Sequence, residues 1–236
     1  MHSFSLHRHT ASAATSAPSK GLVMNWGWPY DLLVWLLDAL GFRGRLRELR
    51  YRAADLARLQ PGEAVLDVGC GTGTLALIAK ERVGDTGRVY GIDPGPRQIA
   101  RARSKAARRG ANVDLRVGVI EELPFPDQCF DVVLSTMMMH HLPDDLKRRG
   151  LAEIARVLKP GGRVIIVDFK RSEKHAARGD RMGAGTIDIG GQPALMKDAG
   201  LSQIEAGDLN LPRKLGLGGA GFVRGTRDGR GRLIRG

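Results

Sequence analysis

Cysteine is scarce in this chain of 236 residues, and its scarcity excludes several classes of protein. Cys70 and Cys129 are the only two cysteines, and they form neither a CxxC pair nor a disulfide framework. Such usage is typical of a reducing compartment and argues against a cysteine-based metal centre. We therefore predict a cytoplasmic protein with no metal site.

Long apolar runs are also missing. The longest, Leu32–Leu37, is far short of the ~20 residues that a membrane-spanning helix needs, and there is no apolar core of a secretory signal. Acidic residues are absent before Asp31, and Ser, Ala, Thr and His are abundant there. Residues 1–21 are therefore predicted to be disordered, although an acid-poor start also faintly resembles a transit peptide.

The net charge of +12 is concentrated at one end of the sequence. From Arg213 onward there are seven basic residues and one acid, Asp228, which together supply half of the excess. A strongly basic chain can attract polyanions or anionic membranes, but only where the charge surrounds the site. We interpret residues 227–236 as a basic Gly/Arg tail, and the mildly basic remainder argues against nucleic acid as the substrate.

The most informative stretch is VLDVGCGTG at residues 65–73. A short apolar run ends in an acid and breaks into glycines at alternate positions, and an apolar segment, LALIA, follows it. This order predicts a strand, a glycine loop and a helix. Glycine lets a ligand approach the backbone, and the free N–H groups of the helix point into the same loop.

D-V-G-C-G-T-G resembles the first motif of class I S-adenosylmethionine (SAM) methyltransferases. A carboxylate beside the loop suits an amino-acid moiety and a ribose better than a pyrophosphate, although G-x-G-x-x-A also fits the dinucleotide fingerprint formally. The resemblance implies that SAM is the cofactor. It places the following residues at the cofactor: Asp67, Gly69, Cys70, Gly71, Thr72 and Gly73.

Two later segments extend the resemblance. Asp93 ends a predicted second strand, 20 residues after Gly73, where an acid can accept the ribose hydroxyls, and Pro94 follows it. The segment GVIEELPFPD at 118–127 resembles G-D-A-x-x-L-P-F-x-D on the adenine side. Val119 stands where the family usually has an acid that accepts from the adenine amino group, so Glu121 or backbone groups around Ile120 would have to replace it.

A third matching segment follows the predicted fourth strand, which ends at Ser135, and we assign Ser135 to the cofactor as well. His140-His141-Leu142-Pro143-Asp144 matches the family's H-H-L-x-D. The two histidines are the best candidates for proton transfer, because their reference pKa lies near 6.5. The alternative interpretation is that one of them caps or packs the next helix.

Alternating strands and helices predict an α/β fold. The resemblance implies a Rossmann-like, doubly wound, mostly parallel seven-stranded sheet with helices on both faces and one antiparallel strand near the end. We assign residues 22–59 to an N-terminal helical lid and 60–226 to the SAM-binding domain. The segment 22–40 holds all three tryptophans, and either covers the sheet, admits an apolar substrate or touches a membrane peripherally.

The resemblance is strongest to small-molecule methyltransferases of ubiquinone and menaquinone biosynthesis. It implies methyl transfer to a small, partly apolar acceptor that is quinone-like, phenolic or lipid-like. Three alternatives stay open: an RNA methyltransferase, a SAM-binding protein without activity, and an NAD-dependent Rossmann oxidoreductase. The oligomeric state and the acceptor atom are not encoded in any motif.

Overall fold

The computed structural model describes residues 23–42, 45–170, 191–209 and 219–229. The strands are β1 (Ala64–Val68), β2 (Arg88–Asp93), β3 (Asp114–Val117), β4 (Phe130–Thr136), β5 (Leu158–Phe169), β6 (Leu201–Leu209) and β7 (Ala220–Arg227). The α-helices are α1 (Trp28–Leu36), α2 (Arg45–Ala57), α3 (Thr74–Val83), α4 (Pro96–Arg108), α5 (Asp144–Val157) and α6 (Gln192–Asp198). A π-helical turn, Leu37–Phe42, continues α1, and a 3-10 turn, Met139–His141, precedes α5.

The seven strands form one sheet in the order β3-β2-β1-β4-β5-β7-β6. Strands β1 to β5 pair in parallel, whereas β7 runs antiparallel to both β5 and β6. The predicted fold class is therefore confirmed. The strand order reverses at β1, which pairs with β2 on one side and β4 on the other, and this reversal opens a crevice at the carboxyl ends of the strands.

The strand sequences explain why helices cover both faces of the sheet. Successive side chains of a strand point to opposite faces, so strands buried on both sides are apolar throughout. Val65 packs with α2, α3 and α4 on one face, while its neighbour Leu66 packs with α5 and α6 on the other. The same alternation separates Val132 from Val133 in β4, and Ile165 from Ile166 in β5.

The N-terminal elements differ in how they meet this core. Leu49 of α2 is buried against the sheet, whereas α1 buries none of its residues completely. The amide of Arg97 in α4 donates to the side-chain oxygen of Asn25 at 2.8 Å, so the chain before α1 lies against the start of α4. The segment 23–31 thus runs beside the carboxyl edge of the sheet.

The end of the described chain modifies one predicted boundary. Arg227, where the sequence placed the start of the basic tail, is the last residue of β7. Its guanidinium donates to the carbonyl oxygen of Arg156 at 2.8 Å and also to that of Leu158. These bonds tie it to the sheet. Residues 230–236 of the predicted tail, and residues 1–21, lie outside the described residues.

Candidate active site

The glycine loop between β1 and α3 forms the floor of the site. The amides of Gly69 and Cys70 donate to the carbonyl oxygen of Ile92 at 2.9 Å each, which fixes the loop against β2. Gly69 has a φ of +71°, and a Cβ there would lie 2.3 Å from Met138. Gly71 also has positive φ, but a Cβ there would meet open space. The loop therefore leaves room beside Gly71 where a ligand can approach the backbone.

Asp93 connects this loop to the next one. One carboxylate oxygen accepts from the amide of Gly71 at 2.9 Å, and the other accepts from the amide of Gly95 at 2.8 Å. Burial raises the pKa of Asp93 to about 6, against the opposing effect of these two amides. The carboxylate is thus ionised at neutral pH, lines the cleft, and retains lone pairs for further donors.

Asp67 lies deeper than its motif suggests. It is 1% exposed, and neither of its carboxylate oxygens has a hydrogen-bond partner within the described part of the chain. Burial raises its pKa to about 7, and the charge of Arg50 and the nearby amide of Ala76 oppose this shift. Its side chain sits beneath the glycine loop and does not line the cleft.

The cleft opens to solvent, and its empty space together with the solvent region at its mouth amounts to about 930 Å³. Its walls come from the loop after β1, the end of β2, the segment after β3 and the segment after β4. Of the predicted site residues, the following line it: Gly69, Cys70, Gly71, Thr72, Asp93, Pro94, Val119, Ile120, Glu121 and His141. Asp67, Gly73, Ser135 and His140 do not reach its surface.

Several lining residues were not singled out from the sequence. Tyr30 and Arg50 reach the cleft from α1 and α2, and Gln98 reaches it from the first turn of α4. Gln98 is 2% exposed, and its side-chain oxygen has no partner among the described residues; the same holds for one carboxylate oxygen of Glu121. Buried polar atoms without partners are uncommon in proteins, so these two oxygens are candidates to accept hydrogen bonds from a ligand or from water. The sequence does hold a signal for Gln98, because it is a polar residue in the first turn of the helix that follows the Asp93 strand.

The two histidines have different surroundings. His140 Nδ1 lies 2.6 Å from a carboxylate oxygen of Asp168, and both side chains are almost fully buried. The amides of His140 and Phe169 also donate to this carboxylate, at 3.3 and 2.8 Å. Asp168 is the penultimate residue of β5 and was not assigned a role from the sequence. His140 is thus held by Asp168 away from the cleft surface.

His141 faces the cleft and contacts His140, with 3.9 Å between the ring centroids. Burial, and the neighbouring ring of His140, lower the pKa of His141 to about 4, while the Asp168 carboxylate opposes this shift. Its imidazole is therefore neutral at physiological pH and has a free lone pair on one nitrogen. Among the described residues, no group of three or more His, Cys, Asp or Glu side chains could hold a metal ion.

A network of charged and hydroxyl groups fastens α1 to the glycine loop. One carboxylate oxygen of Asp31 accepts from the hydroxyl of Thr72 at 2.5 Å, and the other accepts from Arg101 at 2.7 Å. Lys105 donates to the hydroxyls of Thr72 and Thr74 at 3.1 and 2.9 Å, and lies 3.4 Å from Asp31. The glycine loop and the N-terminal segment therefore share one hydrogen-bond network.

The family described as "Methyltransferase domain" matches residues 65–162. A 27-O-demethylrifamycin SV methyltransferase of Amycolatopsis mediterranei is 34% identical over 78% of this chain and 71% of its own length. An arsenite methyltransferase of Halobacterium salinarum is 35% identical over 63% of this chain, and a demethylmenaquinone methyltransferase of Thermus thermophilus is 40% identical over 62%. The chain spans 40% and 64% of the lengths of these last two relatives.

The comparison with solved structures shows the same fold. A SAM-dependent methyltransferase structure from Aquifex aeolicus superposes with a TM-score of 0.61, covering 75% of this chain and 88% of that one at 23% identity. Glycine loop, strand-end acid and strand order together define the class I SAM-dependent methyltransferases, and the chain belongs to this family. The resemblance seen in the sequence is confirmed.

Proposed function

We propose that this protein transfers a methyl group from SAM to a small, partly apolar acceptor that is quinone-like, phenolic or lipid-like. The observation that carries the proposal is the cleft, whose wall combines polar groups with apolar side chains. Asp93 and the backbone of the glycine loop are among its polar groups. Val23, Met138 and Leu142 supply apolar wall. The Thermus relative, by its name, methylates a demethylmenaquinone, which supports a quinone-like acceptor.

The residues present fit SAM. We assign the ribose hydroxyls to Asp93, and the adenine amino group to Glu121, whose unpaired buried oxygen replaces the acceptor that Val119 cannot supply. Gln98 offers a second unpaired acceptor in the same cleft. The positive charge of Arg50 suits the carboxylate of the amino-acid moiety. Buried carboxylates and amides without partners are costly, and a ligand that donates to them relieves that cost.

SAM supplies an already activated sulfonium methyl group, so the protein's tasks are to orient the acceptor and to exclude water. Where the acceptor must lose a proton, we assign the proton to His141, which is neutral and faces the cleft. His140 and Asp168 act through it, because the 2.6 Å contact between them fixes the ring against which His141 packs. A pKa of about 4 makes His141 a weak base, so this role requires an acceptor that is considerably more acidic than a simple phenol.

We further propose that residues 22–59 act as a lid over the acceptor. Val23, Met24 and Tyr30 contribute to the cleft wall, and Asp31 fastens this segment to the cofactor loop. Burying an apolar acceptor under such a wall contributes about 25 cal/mol per Å² of hidden surface. Removing residues 1–40 should therefore abolish methyl transfer, whereas SAM binding should persist, weakened about as much as by loss of the Asp31 contacts alone. Normal turnover by the truncated protein would contradict the lid.

The alternatives predict different binding. An oxidoreductase should bind NAD and not SAM, and a SAM-binding protein without activity should bind SAM but show no turnover. An RNA methyltransferase should lose activity together with RNA affinity when residues 230–236 are removed, a truncation that spares the contacts of Arg227. Salt dependence of any RNA affinity would report its electrostatic share.

The decisive experiment combines calorimetry and turnover. We expect binding of SAM and of its demethylated product by the intact chain, with no comparable binding of NAD. A panel of quinone-like phenols, lipid head groups and small amines then tests the acceptor class. Failure of both SAM and its product to bind the folded protein would refute the cofactor assignment. Turnover restricted to amines would refute the assignment of the acceptor.

A further inference from the structure

The segment from Trp26 to Leu40 presents an unusual outer surface, here called the apolar face. All three tryptophans lie on it, with Trp26, Trp28 and Trp35 exposed by 53%, 65% and 63%. Leu32, Leu36 and Leu40 are also exposed, Leu40 by 82%. Beyond residues 23–40, Val117 is the one comparably exposed large apolar side chain in the described part of the chain. Soluble proteins rarely expose so contiguous an apolar patch without a function.

The acids within this segment point away from the apolar face. Asp31 bonds to Thr72 and Arg101 on the inner side, as described above. Asp38 is 8% exposed and accepts a hydrogen bond from the amide of Arg47 at 3.0 Å. Both carboxylates that interrupt the apolar run are therefore engaged with the protein. Tryptophan and leucine, with Pro29 and Ala39, make up the exposed side chains of this surface, and neither carboxylate is among the exposed residues.

Arginines lie at both ends of the apolar face. Arg47 follows it in sequence and is joined to it through the Asp38 contact, and Arg97 is joined to it through the side chain of Asn25. Both arginines are exposed. An apolar strip rich in tryptophan and flanked by cations complements the interface of an anionic bilayer, where indole rings favour the headgroup level and arginine favours anionic lipid.

We propose that the apolar face docks on the surface of an anionic lipid bilayer. Pairing with a second copy is disfavoured because a self-complementary contact would bring the same arginine-flanked face against itself, and the exposed carboxylate beside Arg47, that of Glu48, already pairs with Arg52. Within the described residues no helix is both long and apolar enough to span a bilayer. The segment therefore lies in the interface plane, with its inner side still held by Asp31.

This location has a consequence that rests on the proposed function. Val23, Met24 and Tyr30, which belong to the same segment, line the cleft. A lipid-like acceptor dissolved in the bilayer would thus meet the cleft from the docked side without crossing water. Docking itself needs neither SAM nor acceptor, so it can be tested when both are absent.

Tryptophan fluorescence tests the docking directly, because every tryptophan of the protein lies on the apolar face. Vesicles of phosphatidylcholine with phosphatidylglycerol should shift the emission of the intact chain to shorter wavelength and should co-sediment with it. Pure phosphatidylcholine vesicles should bind at least tenfold more weakly. The single substitutions Arg47→Gln and Arg97→Gln should each weaken binding to the anionic vesicles about fivefold.

Matched variants distinguish binding through the apolar face from binding through any exposed apolar residue. Leu36→Gln combined with Leu40→Gln should abolish vesicle binding, whereas Val117→Gln, which alters an exposed apolar residue elsewhere, should leave it unchanged. Calorimetry with SAM on the same samples reports whether the cofactor site is intact, so failure of docking and failure of the proposed function are distinguishable. Emission already at short wavelength before lipid is added would mean that other parts of the chain cover the face and would overturn the proposal. So would a dimer that anionic vesicles do not dissociate, or an absence of co-sedimentation.

Discussion

Asp31 offers a sharp test of how the N-terminal segment is coupled to the cofactor loop. Its carboxylate joins Thr72 of the loop to Arg101 and Lys105 of α4, and its side chain is 25% exposed. Burial raises the pKa of Asp31, but the hydrogen bonds from Thr72 and Arg101 and the charges of Lys105 and Arg101 outweigh it and hold that pKa below its ordinary value. The ionised carboxylate is thus the form that the network stabilises.

Replacing Asp31 by Ala removes the acceptor for the short hydrogen bonds from Thr72 and Arg101 and for the longer one from Lys105. Lys105, whose side chain is 15% exposed, is left with less compensation for its charge. A hydrogen bond to a charged group contributes about 1.5–3 kcal/mol, and partial exposure favours the lower end for each. We expect closure of the segment to lose about 2–3 kcal/mol in total. If the cofactor binds only the closed form, its Kd rises by up to about 30- to 150-fold.

Asp31→Asn distinguishes the effect of the charge of the Asp31 side chain from the effect of its shape. The amide oxygen can still accept from Thr72, while the ion pairs with Arg101 and Lys105 are lost. We expect a loss of about 1 kcal/mol and a Kd for SAM about fivefold higher. Asp55→Ala is the control, because it removes an exposed ion pair with Arg82 on a distant surface.

Calorimetry with SAM measures the Kd, and tryptophan emission reports the segment independently. Both Asp31 variants should show altered emission, since every tryptophan lies between Trp26 and Trp35. SAM affinity within twofold of wild type for Asp31→Ala, with unchanged emission, would refute the coupling. A lower free energy of unfolding in urea with unchanged SAM affinity would show that Asp31 acts on stability alone.

Three further predictions concern the buried titratable groups. Asp93→Ala should raise the Kd for SAM by about 10- to 150-fold, because the amide of Gly71 and the ribose hydroxyls of SAM both lose the carboxylate to which they donate. A change in Kd below twofold by calorimetry would contradict this. His141→Asn should lower kcat by about 10²–10⁴ with SAM affinity unchanged, and since its pKa is about 4 the wild-type rate should not fall through this group until the pH approaches 4. Asp67 has a folded pKa of about 7, above its ordinary 3.8, so the unfolded chain ionises first and the wild type loses stability as pH rises from about 4 to 7. Asp67→Asn should remove that loss, and urea unfolding at pH 5 and pH 8 measures it; an equal change in both proteins would show that the carboxyl is already ionised when folded.

Most of the residues that the resemblance assigned to SAM line one cleft, because the determinants of the resemblance are local. A glycine loop, an apolar run and an acid at the end of a strand are each recognised from a few neighbouring residues, and Gly69 through Thr72, Asp93 and Val119 through Glu121 line the cleft. The two candidate catalytic histidines are different. His140 and His141 are adjacent in the sequence, yet packing directs only His141 to the cleft, while His140 turns to an aspartate 28 residues away.

The sequence by itself determined the strands, the helices and the glycine loop, since side-chain periodicity and backbone φ preferences act over short distances. Only the tertiary structure decided that β7 enters the sheet between β5 and β6, that Tyr30 and Arg50 face the cofactor loop, and that Asp31 bonds to Thr72 across 41 residues. These relations depend on how whole elements pack, and no local pattern encodes the distance between them. The same reason applies to Asp67, whose motif marked it for the ligand and whose packing placed it beneath the loop with its pKa raised to about 7.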